Sequence, residues 1–285
     1  MRTSAVLLIS CPDQKGLVAT VSEFIFRHGG NILHTDEHTD AESFWFLMRV
    51  EFDPNGFDLP LGEFAQHFDP IADRLGMEYH LAQPGERKRM VILVSRYDHC
   101  LVDLLYRHKI GELNCEIPLI ISNHPDNQPI ADFYQIPFVV VPVSKEDKSA
   151  AERKQIVLVR QNKADFIVLA RYMQVLSPQF VAAFPQGIIN IHHSFLPAFV
   201  GAKPYHQAFQ RGVKLIGATS HYVTEVLDDG PIIEQDVVRI SHRDSVEDLI
   251  QRGRDLEKVV LSRAVRWHID DRVLLYGNRK TVVFD

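Results

Sequence analysis

"NIHHSFLPAFVGAKPYHQAF", Asn190–Phe209, follows an apolar stretch running from Phe184 to Ile189. That stretch reads as a buried strand, so the chain passes directly from a strand into an Asn and two His. A polar cluster at the end of a strand can reach a ligand, because ligands in open α/β sheets bind beyond the carboxyl ends of the strands. Pro197 and a run of small residues then read as a loop. Upstream, "MVILVS", "CEIPLIISN", "FVVVPV" and "DFIVLA" are near-continuous apolar runs, interleaved with helical patterns at 100–108 and in "EDKSAAERKQIVLVRQNK". Strands of this kind imply a sheet covered on both faces and mostly parallel. Downstream, "KLIGATSHYV" and "PIIEQDVVRI" read as two more strands. "SVEDLIQRGRDLEKVVLSRAVRWHI" reads as a long helix, apolar at Val246, Leu249, Ile250, Leu256, Val259 and Val260. "VLLYGNRKTVVF" reads as a hairpin around Gly277-Asn278.

The first 84 residues have a different pattern. "SAVLLISC" predicts a strand. "DQKGLVATVSEFIFRHGGNI" predicts a helix opened by Gly16, with Leu17, Val21, Phe24 and Ile25 at helical spacing and Gly29-Gly30 as the stop. "NILHTDEHTD" and "SFWFLMRVEF" follow as strands, then a helix over 61–75 and a strand in "MEYHLA". The order βαββαβ is that of a ferredoxin-like split unit. Charge marks the same boundary. Residues 1–84 carry 5 Lys/Arg against 13 Asp/Glu, a balance of -8, whereas the rest carries 26 against 24, a balance of +2. "QPGERKR" is a polar linker, so two domains are expected, 1–84 and 85–285.

A net charge of -6 argues against a nucleic-acid partner. Three cysteines, Cys11, Cys100 and Cys115, have no metal-like spacing and suit a reducing compartment. The run Ala5–Ile9 is too short for a signal segment, and no stretch approaches the roughly 20 apolar residues of a membrane span. A cytoplasmic protein without membrane association is the expectation.

Strand alternation places Asn190 and His192 on one face and His193 on the other, where it is expected to pack. A second polar group, "SHYVTEVLDDGPII", offers His221 on a strand and Asp228 in the loop before Gly230-Pro231. An amide, an imidazole and a carboxylate suit carbonyl chemistry. The amide and a protonated imidazole can donate to an oxygen as it becomes negative, and the carboxylate can hold the imidazole charged and relay protons through a water. No Ser or Cys stands in a nucleophile-elbow sequence. His192, His193, His206, His221 and Asp228 could instead supply zinc ligands, but no HExxH pattern occurs and the strand separates the paired histidines. A histidine-rich strand end without chemistry is the remaining alternative.

Two resemblances sharpen these readings. "NIHHSFLPAF" and "SHYVTEVLDDGPII" resemble the N-x-H-x-S-x-L-P and H-x-V-x-x-x-x-D-x-G-P signatures of the folate-dependent formyltransferases, and "DFIVLARYMQVLS" resembles their folate-pocket segment. The resemblance covers about 88–285. It implies a Rossmann-like domain with Asn190, His192 and Asp228 as catalytic residues. It also implies a pteridine pocket formed by Met173, Gln174, Val175 and Leu176, by Val181 and Ile188, and by Val223, Thr224 and His221. No cofactor or metal is implied; the folate is the substrate. "SCPDQKGLVATVSEFIFRHGGNI" resembles the opening of an ACT domain. That resemblance implies an amino-acid effector near Asp13, Gly16, Leu17 and Asn31, and a homo-oligomer, dimer or tetramer.

The departures from the family bear on the formyl acceptor. Transferases of the purine pathway hold the acceptor's phosphate in a small-residue loop after the first catalytic strand. Arg96, Tyr97, Asp98 and His99 stand there in this chain, and are expected to fill the loop and repel phosphate. The tRNA-directed members share the "GA-x-P" element but carry a C-terminal domain that has no counterpart here. With both amine acceptors disfavoured, water is the expected acceptor, which an ACT-like module ahead of such a domain also implies. The implied reaction is hydrolysis of 10-formyltetrahydrofolate to formate and tetrahydrofolate, which supplies formate for purine synthesis and balances folate pools. Formyl transfer to a glycinamide ribonucleotide-type amine and an inactive folate- or amino-acid-binding regulator are the alternatives. Lys203 and Tyr205 are candidates for the acceptor side with no role assigned, and Lys203 reads more readily as a solvated surface charge.

Overall fold

The computed structural model describes residues 3–144, 146–198, 204–277 and 279–285. Lys203 therefore lies outside the described residues. Contacts divide the chain into two compact units, 1–86 with 270–285, and 87–269.

The first unit begins β1 (Ala5–Pro12), α1 (Leu17–Arg27), β2 (Asn31–Asp40) and β3 (Trp45–Asp53). It continues with a 3₁₀ turn (Leu61–Glu63), α2 (Phe64–Leu75) and β4 (Glu78–Ala82). The sheet order is β2-β3-β1-β4, all neighbours antiparallel. This is the expected βαββαβ order. Leu17, Val21, Phe24 and Ile25 recur on one face of α1, and Phe64, Phe68 and Ala72 on one face of α2. Both stripes bury against Leu7, Ile9, Met48, Val50 and Phe52 of the sheet. The alternate residues Val6, Leu8 and Leu47 point to the opposite face and are buried too.

The second unit has β5 (Arg89–Val94), α3 (His99–Lys109), β6 (Glu116–Ser122), α4 (Gln128–Phe133) and β7 (Phe138–Val140). Then come α5 (Lys148–Gln161), β8 (Phe166–Ala170), α6 (Pro178–Ala182), β9 (Ile188–His192) and α7 (Pro204–Arg211). It closes with β10 (Leu215–Tyr222), β11 (Ile232–Arg239) and α8 (Val246–Ile269). The seven-stranded order is β11-β10-β9-β8-β5-β6-β7. Pairings from β9 through β7 are parallel, and β10 and β11 add antiparallel strands at one edge. All five residues of β8 are buried, as a central strand covered on both faces requires. Three short helices, α4, α6 and α7, were not expected. The last falls in the segment read as a loop.

The tail corrects the expected domain boundary. Asp270–Asp285 groups with the first unit rather than with the catalytic fold. Its hairpin, β12 (Val273–Tyr276) paired with β13 (Lys280–Val283), covers the second face of the four-stranded sheet. Phe284, 1% exposed, packs with Val6, Leu8, Leu47 and Ala82. Lys280 Nζ lies 2.7 Å from Asp40 Oδ2, and this contact with the Ser43 and Glu42 amides holds the Asp40 carboxyl well below the usual range. The physical reason is the double burial of β1: a strand apolar on both faces needs two covers, and α1 and α2 supply only one.

Candidate active site

The carboxyl ends of β8 and β9, the loop after β10 and part of α8 surround a cavity of about 540 Å³. Its lining includes Asn190, His192, His221 and Asp228. The register explains why the amide and the second imidazole meet. His221 on β10 pairs directly with Asn190 on β9, so both side chains stand on one face. Asn190 Nδ2 lies 3.2 Å from His221 Nε2. His221 Nδ1 lies 2.9 Å from the Tyr222 carbonyl oxygen, which can only accept. Nδ1 therefore carries the proton, and Nε2 of a neutral ring accepts from the Asn190 amide. Burial enforces this state, since it holds the His221 pKa below the ordinary histidine value.

Asp228 occupies the left-handed region at φ 55°, a conformation Asp tolerates better than most residues. Its Oδ1 lies 3.3 Å from His192 Nδ1 and 4.0 Å from His221 Nε2. Burial opposes charge on this carboxyl, but the adjacent His192 prevails and holds the pKa below the ordinary Asp value. His192 Nε2 is buried with no hydrogen-bond partner. A buried, unmatched nitrogen facing a cavity is costly unless a ligand satisfies it. Gly230 lets the loop close: a Cβ there would run into the Tyr222 carbonyl. The loop after β9 is fixed by Thr219 Oγ1 donating 2.8 Å to the Ser194 carbonyl, and by Leu196 N donating 3.0 Å back to Thr219 Oγ1. The Leu196-Pro197 peptide is cis.

The expected pocket residues divide. Met173, Gln174, Val175, Leu176, Val223 and Thr224 line the cavity. Met173 and Val175, with Val226 and Leu227, are apolar yet half or more exposed, as residues awaiting a flat apolar ligand would be. Val181 and Ile188 are not in the lining. Ile188 is fully buried in the core beneath the sheet, and Val181 is 7% exposed on α6, so both serve packing. His193 corrects the strand argument. It follows the last residue of β9, where alternation no longer applies, and lines the cavity. Burial and the Arg171 charge push its pKa down to about 3.

Sequence reasoning missed the polar wall. Glu257 of α8, 1% exposed, receives Tyr205 Oη at 2.6 Å and His99 Nε2 at 2.8 Å, and Arg171 Nε lies 3.4 Å away. Burial opposes its charge, but the His99 hydrogen bond and the Arg171 guanidinium hold its pKa below the ordinary Glu value. Of the loop residues expected to fill an acceptor site, Arg96, Tyr97 and Asp98 are exposed and His99 turns inward to Glu257. Tyr97 lies 5.2 Å from the Arg171 guanidinium and 5.6 Å from that of Arg254. His99, Cys100 and Glu257 bring donor atoms within 4.8 Å of one another. That set does not suit a cation, because Arg171 stands beside the carboxylate and burial raises the Cys100 thiol well above its ordinary value. At the first unit, Asp13, Gly16 and Asn31 are exposed around the start of α1 and of β2, whereas the Leu17 side chain belongs to the core and can offer only its backbone. Among the described residues, no helix is long and apolar enough to cross a membrane.

Residues 88–265 match the family model described as formyl transferase. A formyltetrahydrofolate deformylase from Synechocystis sp. is 54% identical, over 99% of this chain and 98% of its own. The crystal structure of a formyltetrahydrofolate deformylase from Pseudomonas syringae superposes with a TM-score of 0.97 at 51% identity, covering 99% of this chain and 94% of that one. A glycinamide ribonucleotide transformylase from Symbiobacterium toebii gives a TM-score of 0.66 at 28% identity, covering 70% of this chain and 96% of that one.

Proposed function

The chain belongs to the formyl transferase family, and on that premise we propose that its cavity catalyses transfer of a formyl group to water. It hydrolyses 10-formyltetrahydrofolate to formate and tetrahydrofolate, a reaction of one-carbon metabolism that supplies formate for purine synthesis. One observation carries this reading: the likeness to deformylases runs through both units, whereas the transformylase covers 70% of the chain.

The geometry supports a scheme for the reaction. The exposed apolar side chains of Met173, Val175, Val226 and Leu227 suit the flat pteridine and aryl rings, and Gln174 and Thr224 add polar contacts. The contacts of Asp228 to His192 and His221 fall on Oδ1, which leaves Oδ2 to orient a water and take its proton as oxygen attacks the formyl carbon. His192 Nδ1 lies 3.3 Å from the Asp228 carboxylate, and in this scheme the ring acts in its protonated form. Its Nε2–H then donates to the formyl oxygen as charge develops there. Asn190, turned by neutral His221, supplies the second donor through its remaining amide hydrogen. The tetrahedral intermediate collapses, the bond from carbon to N10 breaks, and N10 receives the proton through the same Asp228–His192 pair.

For the first unit, the proposal is an ACT-like regulatory module. Backbone N–H groups at the start of α1, after Gly16, would receive the carboxylate of an amino acid. Asn31 would meet its ammonium group, and the module would pair within a homo-oligomer. The support is the β2-β3-β1-β4 order and the exposure of Asp13, Gly16 and Asn31. A panel of amino acids should include one that changes formate release by about 5-fold or more, the range of typical coupling energies.

The test of the main reading is formate release from 10-formyltetrahydrofolate by purified protein with no amine added. Turnover that appears only with glycinamide ribonucleotide would establish a transferase, and silence under both conditions a binding protein.

A further inference from the structure

The side chains at the polar end of the cavity line the same space as His192 and Asp228 but have no part in the proposed scheme. Glu257 accepts from Tyr205 on Oε1 and meets His99 on Oε2, and the Arg171 guanidinium lies 3.4 Å from Oε2, so both carboxylate oxygens are engaged by the protein. The Tyr205 ring, 7% exposed, lies 5.8 Å from the His193 ring, which lies 5.3 Å from the ring of His192. A continuous line of contacts thus runs from the His192 imidazole to a carboxylate engaged by the protein through both oxygens. Gly253 makes room for this wall, because a Cβ one turn before Glu257 on α8 would run into the Tyr205 ring.

An amine acceptor attacking the formyl carbon needs space for its substituent, and an acceptor for its N–H as it loses protons. At this end of the cavity the His193 and Tyr205 rings stand in line beside His192 and narrow the space, and both oxygens of the buried carboxylate are already engaged by the protein. Charge adds to this. Arg171 balances Glu257, and Arg254, stacked on Tyr97, leaves a positive charge that disfavours an incoming ammonium. Water needs neither a substituent pocket nor a second acceptor. We propose that the His193–Tyr205–Glu257 group is the specificity element of the site, which confines the nucleophile to water by closing the polar end to amines. This rests on the hydrolytic reading above.

Opening the wall should admit an amine. Its nitrogen would bond to the formyl carbon, the bond from that carbon to N10 would break, and the proton lost by the amine would pass to N10. The products would be a formamide and tetrahydrofolate, with no other reactant. The experiment offers 10-formyltetrahydrofolate together with glycinamide and measures N-formylglycinamide against formate. Wild type should yield formate. Tyr205→Ala and His193→Ala should raise the share of captured formyl by about 10-fold or more, the scale on which pocket volume discriminates substrates. Tyr205→Phe, which keeps the ring, should stay near wild type. Folding is checked by circular dichroism and folate binding; if Tyr205→Ala does not fold, His193→Ala, at a half-buried position, decides alone. A wild-type product ratio in the folded truncation variants would overturn the proposal. Absence of formate from wild type without amine would defeat the hydrolytic reading itself, a separate result.

Discussion

Asp228 and Glu257 are two buried carboxylates in one cavity, and they are arranged to opposite ends. Each side chain is under a tenth exposed, each sits beside a histidine, and each is held ionised below its ordinary range. Asp228 stands on a loop at φ 55°, contacts its partners through one oxygen, and leaves His192 Nε2 unmatched. Glu257 stands in the middle of a 24-residue helix and spends both oxygens on protein donors. Charge and burial are therefore not what marks a reactive carboxylate here. Unused hydrogen-bonding capacity facing the cavity is the mark. In the proposed scheme the satisfied carboxylate builds a wall, and the unsatisfied one does the chemistry.

The largest effects should separate the two. Asp228→Asn should lower formate release by roughly 10² or more while folate binding persists, since proton-transfer groups contribute about 10² to 10⁴. Near-normal turnover in a folded, folate-binding variant would remove Asp228 from the scheme. His192→Ala should lose at least as much and far more than His193→Ala, when formate release is compared at matched folding. Equal losses would mean that the assignment of the formyl-oxygen contact to His192 alone, or the site itself, is wrong.

Glu257→Ala should act on stability instead. It strands Arg171 as an uncompensated buried charge, which typically costs about 3–5 kcal/mol. Chemical unfolding monitored by fluorescence reads this directly. A variant as stable as wild type would show that the wall is not held by its carboxylate.

The smallest effect is an acid sensitivity. His193 and His221 have folded-state pKa values below the ordinary 6.5, with His193 near 3. Below 6.5 the unfolded chain takes up protons that the native state refuses, so stability falls as the pH drops toward 3. His193→Gln should flatten that fall, as read from unfolding midpoints between pH 7 and pH 4. An unchanged slope would mean that His193 is protonated in the native protein.

Much of the cavity was legible in the sequence because the residues proposed for catalysis stand in two short local motifs. Asn190, His192 and Asp228 were readable as a set, as were the βαββαβ order and the strands of the second unit. Long-range pairing was less legible. The Asn190–His221 contact depends on the antiparallel register of β9 and β10, which neither segment specifies alone. The hairpin at 273–283 looked like a continuation of the catalytic domain, though the double apolar face of β1 was a signal that a second cover was needed. Val181 and Ile188 were apolar near a pocket, and apolarity alone does not distinguish lining from core. Glu257 left a faint trace. It falls at helical spacing from Leu249, Gly253, Val260, Leu261 and Ala264, all buried on α8, so a charged residue lay within the apolar stripe.

The central claim is that water accepts the formyl group at the Asp228–His192 site. It is tested most directly by running the reaction in ¹⁸O-enriched water without amine and analysing the formate by mass spectrometry. The account predicts steady formate release with one solvent oxygen in each product molecule, and loss of that signal in Asp228→Asn. Formate without solvent oxygen, or no formate until an amine is supplied, would contradict it.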